Sequence, residues 1–276
     1  MRAIGEAGYV LTKSELRTLA GMAGCKQLAG VSLGDPAAEK DPADELESAV
    51  SGLEAKKYVV KTDEGYAVDR NISFLVKACC DPLAFVRFIR RRGNREKTRC
   101  YYFAKDIAVE LDQDVLLADT YILTPMTSAD KAVHNMEEFF NIGRMNGKLR
   151  SRMFSNTYNM DRFIIRRLLD EESDYTEDGA LDALSGAGLE KNLARDLFYA
   201  LRRSGESYSM LLIKPDMAGS FYSVDIFAGI KYMWKITLGP VQQGKAEIST
   251  GTREDMWIAA EQFIDIIKGN VFSILS

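Results

Sequence analysis

The stretch V-D-I-F-A-G-I-K-Y-M-W-K-I-T-L, residues 224–238, decides the fold class. Val224, Ile226, Ala228, Ile230, Tyr232, Trp234, Ile236 and Leu238 occupy every even position. A period of two is the mark of a strand whose side chains alternate between faces. The parity survives Gly229. Directly paired residues of a hairpin share a face, so a two-residue turn there would swap the faces. The segment therefore reads as one long bent strand, or as a hairpin with an odd-numbered loop.

After this stretch, Thr252-Arg253-Glu254-Asp255 caps a helix with Met256, Ala260, Phe263 and Ile267 on one face, ending at Gly269. Before it, strands start at about Tyr208, and the spans 157–172 and 188–203 read as helical. Leu193, Leu197 and Leu201 line one face of the later helix. Gly186-Ala187-Gly188 breaks one helix from the next, and residues 170–178 (DEESDYTED) read as an acidic linker.

The first half has the same order of elements. Thr12-Lys13-Ser14-Glu15 has capping-box spacing and opens a helix faced by Leu16, Leu19, Ala20 and Ala23. Residues 30–42 read as a loop. A second helix spans about Ala43 to Lys57, followed by a short hairpin turning at Asp63-Glu64-Gly65, and Asp69 caps a third helix. Helix, helix, small hairpin, helix is the outline of a winged-helix unit. Phe85–Ile89, Ile107–Leu111 and Tyr121–Leu123 then form a strand meander, and Ser128 opens a helix ending near Gly143. The expected fold class is α+β, in two similarly organised halves. Each half has helices, then an antiparallel sheet, then a helix. The halves are 1–143 and 144–276, with residues 144–156 as the junction.

The chain has 276 residues, of which 46% are hydrophobic and 28% charged, so a core can form. The net charge of -4 gives no global attraction to a polyanion. No apolar run reaches the ~20 residues of a membrane span. Met1 to Val10 carries no secretory signal. Cys25, Cys79, Cys80 and Cys100 include one vicinal pair and no C-x-x-C, which predicts reduced thiols in a cytoplasm and no disulfide framework.

Chemistry-bearing patterns are missing. His134 stands by itself on its helix, no G-x-S-x-G surrounds a serine, and zinc would need more His and Cys at ligand spacing. Gly186-Ala187-Gly188-Leu189 follows a helix and lacks the third glycine of a dinucleotide loop. The acidic run has no calcium-loop pattern. No catalytic residue, cofactor or metal is expected. The basic cluster Arg87, Arg90, Arg91, Arg92, Arg95, Lys97 and Arg99 is read as a strand end and the loop after it, facing water, a protein or nucleic acid. The second helix of the winged-helix outline carries Asp44, Glu45, Glu47 and Glu54, the wrong sign for counterion release from DNA. Nucleic acid is therefore not the expected partner.

L-T-K-S-E-L-R-T-L-A-G-M-A-G (11–24), E-L-E-S-A-V-S-G-L-E-A-K-K-Y-V-V (45–60), G-Y-A-V-D (65–69) and the D-P at 81–82 leading into strands resemble the N-terminal part of the EspG-type chaperones of type VII (ESX) secretion systems. S-V-D-I-F-A-G-I-K-Y (223–232) is similar to that family's closing region. Asp225 and Gly229 fit its D-x-x-x-G turn, with Ile230 where the family commonly carries Arg. The resemblance lies in element order along nearly the whole chain. It implies two quasi-symmetric halves and a cytoplasmic chaperone or accessory protein that binds the helical tip of a secreted substrate. A chaperone of that kind needs an exposed apolar patch. Candidate partner-binding residues are Phe227 and Met233, on the odd face of the 224–238 stretch, with Phe198 and Tyr199 beside the leucine stripe. The competing reading places all four in the core of a sheet covered on both faces. A winged-helix DNA-binding regulator and an enzyme without a recognised motif are the alternative functions.

Overall fold

The structure is a computed structural model. It describes all residues except 1–7, 26, 32–41, 106, 114–118, 127, 142–154, 171–175, 204, 215–220, 239–243 and 276, and gives no side-chain account of 155 or 272–275. Most of the expected junction at 144–156, most of the 30–42 loop and the middle of the acidic run lie outside the described residues. Contacts divide the chain into two compact units. The first comprises Met1–Arg87, Lys97–Ala132 and Val271–Ser276; the second comprises Phe88–Glu96 and Val133–Asn270.

In chain order the first unit runs β1 (Tyr9–Thr12), α1 (Lys13–Met22), α2 (Pro42–Ala55), β2 (Val59–Thr62), β3 (Gly65–Val68) and α3 (Arg70–Cys80). The hairpin of β4 (Ala84–Arg92) and β5 (Arg95–Ala104) follows, its Phe88–Glu96 portion belonging to the second unit, then β6 (Ile107–Gln113) and β7 (Thr120–Met126). Its sheet has the order β1-β7-β6-β5-β4. The α1 capping box is formed: the Thr12 hydroxyl accepts from the Glu15 amide, and the Glu15 carboxylate accepts from the Thr12 amide at 2.7 Å. The same buried carboxylate takes Lys56 Nζ at 2.6 Å, so one cap ties α1 to the end of α2. Asp69 caps α3 as expected. Leu16, Leu19, Leu53, Ile72, Leu75 and Val76 from α1, α2 and α3 are fully buried, each contributing about 1.5–3 kcal/mol through lost water contact. The order helix, helix, hairpin, helix is present in this unit.

Two first-half expectations change. β1 was not legible, and it pairs antiparallel with β7, Leu11 opposite Tyr121. Arg95–Arg99 lies in strand β5, not in a loop. The pleat of β5 carries these charges on to the buried Cys100, Tyr101, Tyr102 and Phe103.

α4 (Ala129–Phe140) leads toward the second unit, which contains β8 (Ser155–Asp161), α5 (Arg162–Leu169), α6 (Glu177–Gly186), α7 (Lys191–Arg203), β9 (Glu206–Ile213), β10 (Phe221–Ala228), β11 (Met233–Leu238), β12 (Lys245–Gly251) and α8 (Arg253–Leu275). The strand order is β9-β10-β11-β12-β8, and each neighbouring pair is antiparallel. The expected helix 157–172 is a strand followed by a helix: Asn159 pairs with Glu247, and Asp161 then caps α5. α6 begins at Glu177, inside the supposed linker. Thr176 caps it, and Glu177 and Asp178 sit in its first turn, where carboxylates favour the helix dipole. α8 runs on through Gly269.

The 224–238 stretch is a hairpin with an even loop. Ala228 pairs with Met233, so the turn is the four residues 229–232. Val224 stands opposite Thr237 and Phe227 opposite Trp234, so the even positions change faces at the turn. Tyr222 stacks on Phe263 of α8, which places Val224 and Ile226 on that face. Trp234 and Ile236 enter the other core, with Ile165 and Leu168 of α5, Leu181 and Leu184 of α6, and Ala194 and Leu197 of α7. Both faces of this hairpin are covered. An unbroken period of two arises because each strand buries its even residues, on opposite sides of the sheet.

Candidate docking surface at an acid-anchored turn

α7 lays Leu197, Ala194 and Ala200 into the core, and Asp196 lies on the same face. The Asp196 carboxylate is only 5% exposed. Such a group is costly to bury unless its lone pairs are filled. Oδ1 accepts from the Ile230 amide at 3.0 Å and the Lys231 amide at 2.8 Å, and Oδ2 accepts from the Trp234 indole at 2.7 Å. The Gly229 amide donates to the Tyr232 carbonyl at 2.8 Å and closes the turn. A Cβ at position 229 would lie 2.2 Å from Asp196 Oδ2. Glycine is needed there because a pinned carboxylate fills the space, not for its dihedral freedom.

This anchoring presents the turn outward. Ile230 is 64% exposed, Tyr232 is 40% exposed and packs edge-on to Trp234, and Lys231 is exposed between them. Tyr199, one helical turn past Asp196 on α7, is 37% exposed. Apolar side chains held on a rigid mount can bind another protein without first losing conformational entropy.

The four expected partner-binding residues separate. Met233 is buried in the sheet, which removes it from the surface. Its place on the odd face came from a parity that the turn reverses. Phe198 and Phe227 are partly buried against the α5–α7 core, and Tyr199 is the most exposed of the four. Sequence reading missed Asp196, Ile230 and Tyr232. One clue to Asp196 was available: a carboxylate beside Leu197 on the apolar side of α7. Ile230 and Tyr232 were hidden because they continued the apolar parity of the strand.

The basic cluster is largely engaged within the protein. Arg91 pairs with Glu96, Arg99 with Asp112 and Glu110, and Lys97 with Asp112. Arg90 donates to the Phe139 carbonyl and lies over its ring. Arg92 and Arg253 both pair with the buried Glu206, which also accepts from the Tyr208 hydroxyl at 2.6 Å. Burial alone would raise the Glu206 pKa. The Tyr208 and Arg92 hydrogen bonds and the charges of Arg253 and Arg92 outweigh burial and hold it below the ordinary carboxylate value. A lowered folded pKa gives stability above the unfolded value near ~4.3, lost as pH falls through the folded value. Glu206→Gln should cost about 1–3 kcal/mol at pH 7. In urea titrations its deficit from wild type should shrink below about pH 4. A deficit constant from pH 7 to pH 3 would refute the charge-dependent role.

The sequence predicted no disulfide, and here the structure differs: Cys25 and Cys80 are bonded, with Cα atoms 5.6 Å apart. They lie 55 positions apart in sequence, so only the fold brings them together. Among the described residues no group of three His, Cys, Asp or Glu could hold a metal ion, and no helix is long and apolar enough to cross a membrane. His134 is exposed and lies 3.6 Å from Glu138 one turn on.

No protein-family model matches the chain, and no curated protein matches it in sequence. In three dimensions it is similar to the Mycobacterium tuberculosis type VII secretion system chaperone EspG5, solved in complex with a PE25–PPE41 dimer. The two share 11% identity and superpose with a TM-score of 0.57 over 94% of this chain and 96% of the other. The likeness is one of fold: this chain is built like that chaperone.

Proposed function

We propose that the chain is an EspG-like chaperone or accessory protein of a type VII secretion system, which binds a helical secreted substrate in the cytoplasm. The fold likeness to a secretion chaperone over nearly the full length carries the reading, together with the element order of the sequence. The acid-anchored turn supplies a surface suited to such binding. In this reading Tyr199, Ile230 and Tyr232 make the contact, while Phe198 and Phe227 are partly buried against the α5–α7 core. An amphipathic helix laying its apolar side on such side chains is a common mode of recognition. The protein acts by binding, not by bond chemistry. In the same reading the α1–α3 unit is a winged-helix-like scaffold and the chain comprises two similarly organised halves. The DNA-binding alternative is disfavoured by α2, whose exposed Asp44, Glu47 and Glu54 repel phosphate.

The test is affinity capture from the source cell with identification of the bound proteins by mass spectrometry. Wild type should recover small, helical, exported proteins. The Ile230→Asp/Tyr232→Asp variant should lose at least about tenfold of that yield, with circular dichroism and urea midpoint unchanged. Equal recovery by both proteins would move the surface elsewhere, and recovery of no exported protein would refute the chaperone reading.

A further inference from the structure

The Cys25–Cys80 bond joins the residues just after α1 to the last residue of α3. Both cysteines are partly exposed, within reach of a small reductant. The other two thiols, Cys79 and Cys100, are buried. Cys79 lies on the inner side of α3 with Ile72, Leu75 and Val76, while its neighbour Cys80 is turned about 100° round the helix. Burial, then the nearby Cys100, pushes the Cys79 thiol well above its usual range. Burial pushes Cys100 up to about 12. A thiol that stays protonated does not attack a disulfide, so neither buried cysteine reshuffles the bond.

The core beneath the bond is closely packed in its own right. Leu16, Leu19, Leu53, Leu75 and Val76 are buried by packing, and the Cys25 amide is held separately by the Ala20 carbonyl at 2.8 Å. What the bond adds is closure of the 55-position loop containing α2 and the β2–β3 hairpin. Such closure restricts the opened chain more than it alters the native one.

We propose that Cys25–Cys80 is a reducible tether that locks the α1–α3 layer when oxidised and lets it open when a thiol reductant acts. A reductant thiolate attacks one sulfur. The other leaves as a thiolate and takes a proton. A second reductant thiolate then resolves the mixed disulfide, leaving two cysteine thiols and an oxidised reductant. The exchange needs only accessible sulfurs, and it stands independently of the partner-binding reading.

Thiol counting on the full-length protein, with iodoacetamide and mass spectrometry, tests the pairing. The oxidised native protein should take no label. After dithiothreitol in native buffer, Cys25 and Cys80 alone should be labelled, and Cys79 and Cys100 should label only in denaturant. Trypsin cleavage between Lys13 and Lys77 should then accelerate about tenfold on reduction. Cys25→Ser/Cys80→Ser should cleave at the reduced rate with or without dithiothreitol. Free Cys25 or Cys80 before reduction, a bond that resists dithiothreitol until the protein unfolds, or equal cleavage of oxidised and reduced wild type would each overturn the proposal. The labelling and wild-type digestion arms hold even if the double variant fails to fold.

Discussion

Asp196→Ala should lower the stability of the second unit by about 3–5 kcal/mol, read as a shift in the urea midpoint followed by tryptophan fluorescence. The substitution removes the acceptor for the Ile230 and Lys231 amides and the Trp234 indole. Each donor left dry costs about 1–3 kcal/mol, and bonds to a charged acceptor are the stronger kind. Trp234 is fully buried, so its N–H has no direct route to water. Asp196→Asn keeps a carbonyl oxygen but turns an amide toward one set of donors, and should lose about half as much. Trp234→Phe removes one donor and keeps most of the packing. In a double-mutant cycle, Asp196→Ala and Trp234→Phe should couple by about 1–2 kcal/mol, because they act through one contact. Additive losses would show that the carboxylate serves the backbone turn alone. A loss under about 1 kcal/mol for Asp196→Ala would show that the turn holds its shape without it.

The same substitution separates stability from recognition. Where Asp196→Ala is still folded, Ile230 and Tyr232 remain on the surface but lose their mount, so partner capture should fall with the stability. Ile230→Asp/Tyr232→Asp leaves the mount intact and should reduce capture alone. A protein whose turn is merely structural would follow the first pattern and ignore the second.

Local interactions were legible in the sequence and distant ones were not. Thr12 with Glu15, and Asp69 ahead of α3, act across one helical turn, so their spacing alone identifies them. The β10–β11 parity failed for a physical reason. A period of two reports that each strand buries alternate residues, and is silent on which side of the sheet they enter. Arg95–Arg99 reads as a loop from sequence because a run of charges has no visible partner there, whereas Asp112 and Glu110 on β6 neutralise Arg99 across the ladder. The start of α6 was lost because acidic residues read as linker are also what a helix N-terminus favours. Cys25 with Cys80, and Asp196 with the turn, depend on tertiary placement, and no single-sequence pattern carries that.

Gly30→Ala is expected to cost about 2–5 kcal/mol in the first unit, measured by urea denaturation under oxidising conditions, and Gly24→Ala supplies the control. Both glycines have left-handed backbone, φ 74° at Gly30 and 77° at Gly24, where a Cβ costs roughly 1–2 kcal/mol. Around Gly24 there is open space, so that strain should be the whole loss. At Gly30 the added Cβ would lie 2.4 Å from Phe85 Cζ and 3.1 Å from Cys100 Sγ. Phe85 is buried, with its ring against that of Tyr102 at 5.3 Å, so it cannot swing aside into solvent. Tyr102 in turn donates its hydroxyl to the Ala29 carbonyl at 2.7 Å, holding the loop down on those rings. Overpacking a confined site adds about 1–3 kcal/mol to the backbone strain. The difference between the two alanine variants thus isolates the close approach of the loop to the core. Equal losses at positions 24 and 30 would mean that Phe85 yields freely and the loop is not seated there. A smaller neighbour should rescue the clash and leave the dihedral cost: Phe85→Leu should reduce the Gly30→Ala penalty toward that of Gly24→Ala, although Phe85→Leu by itself is destabilising.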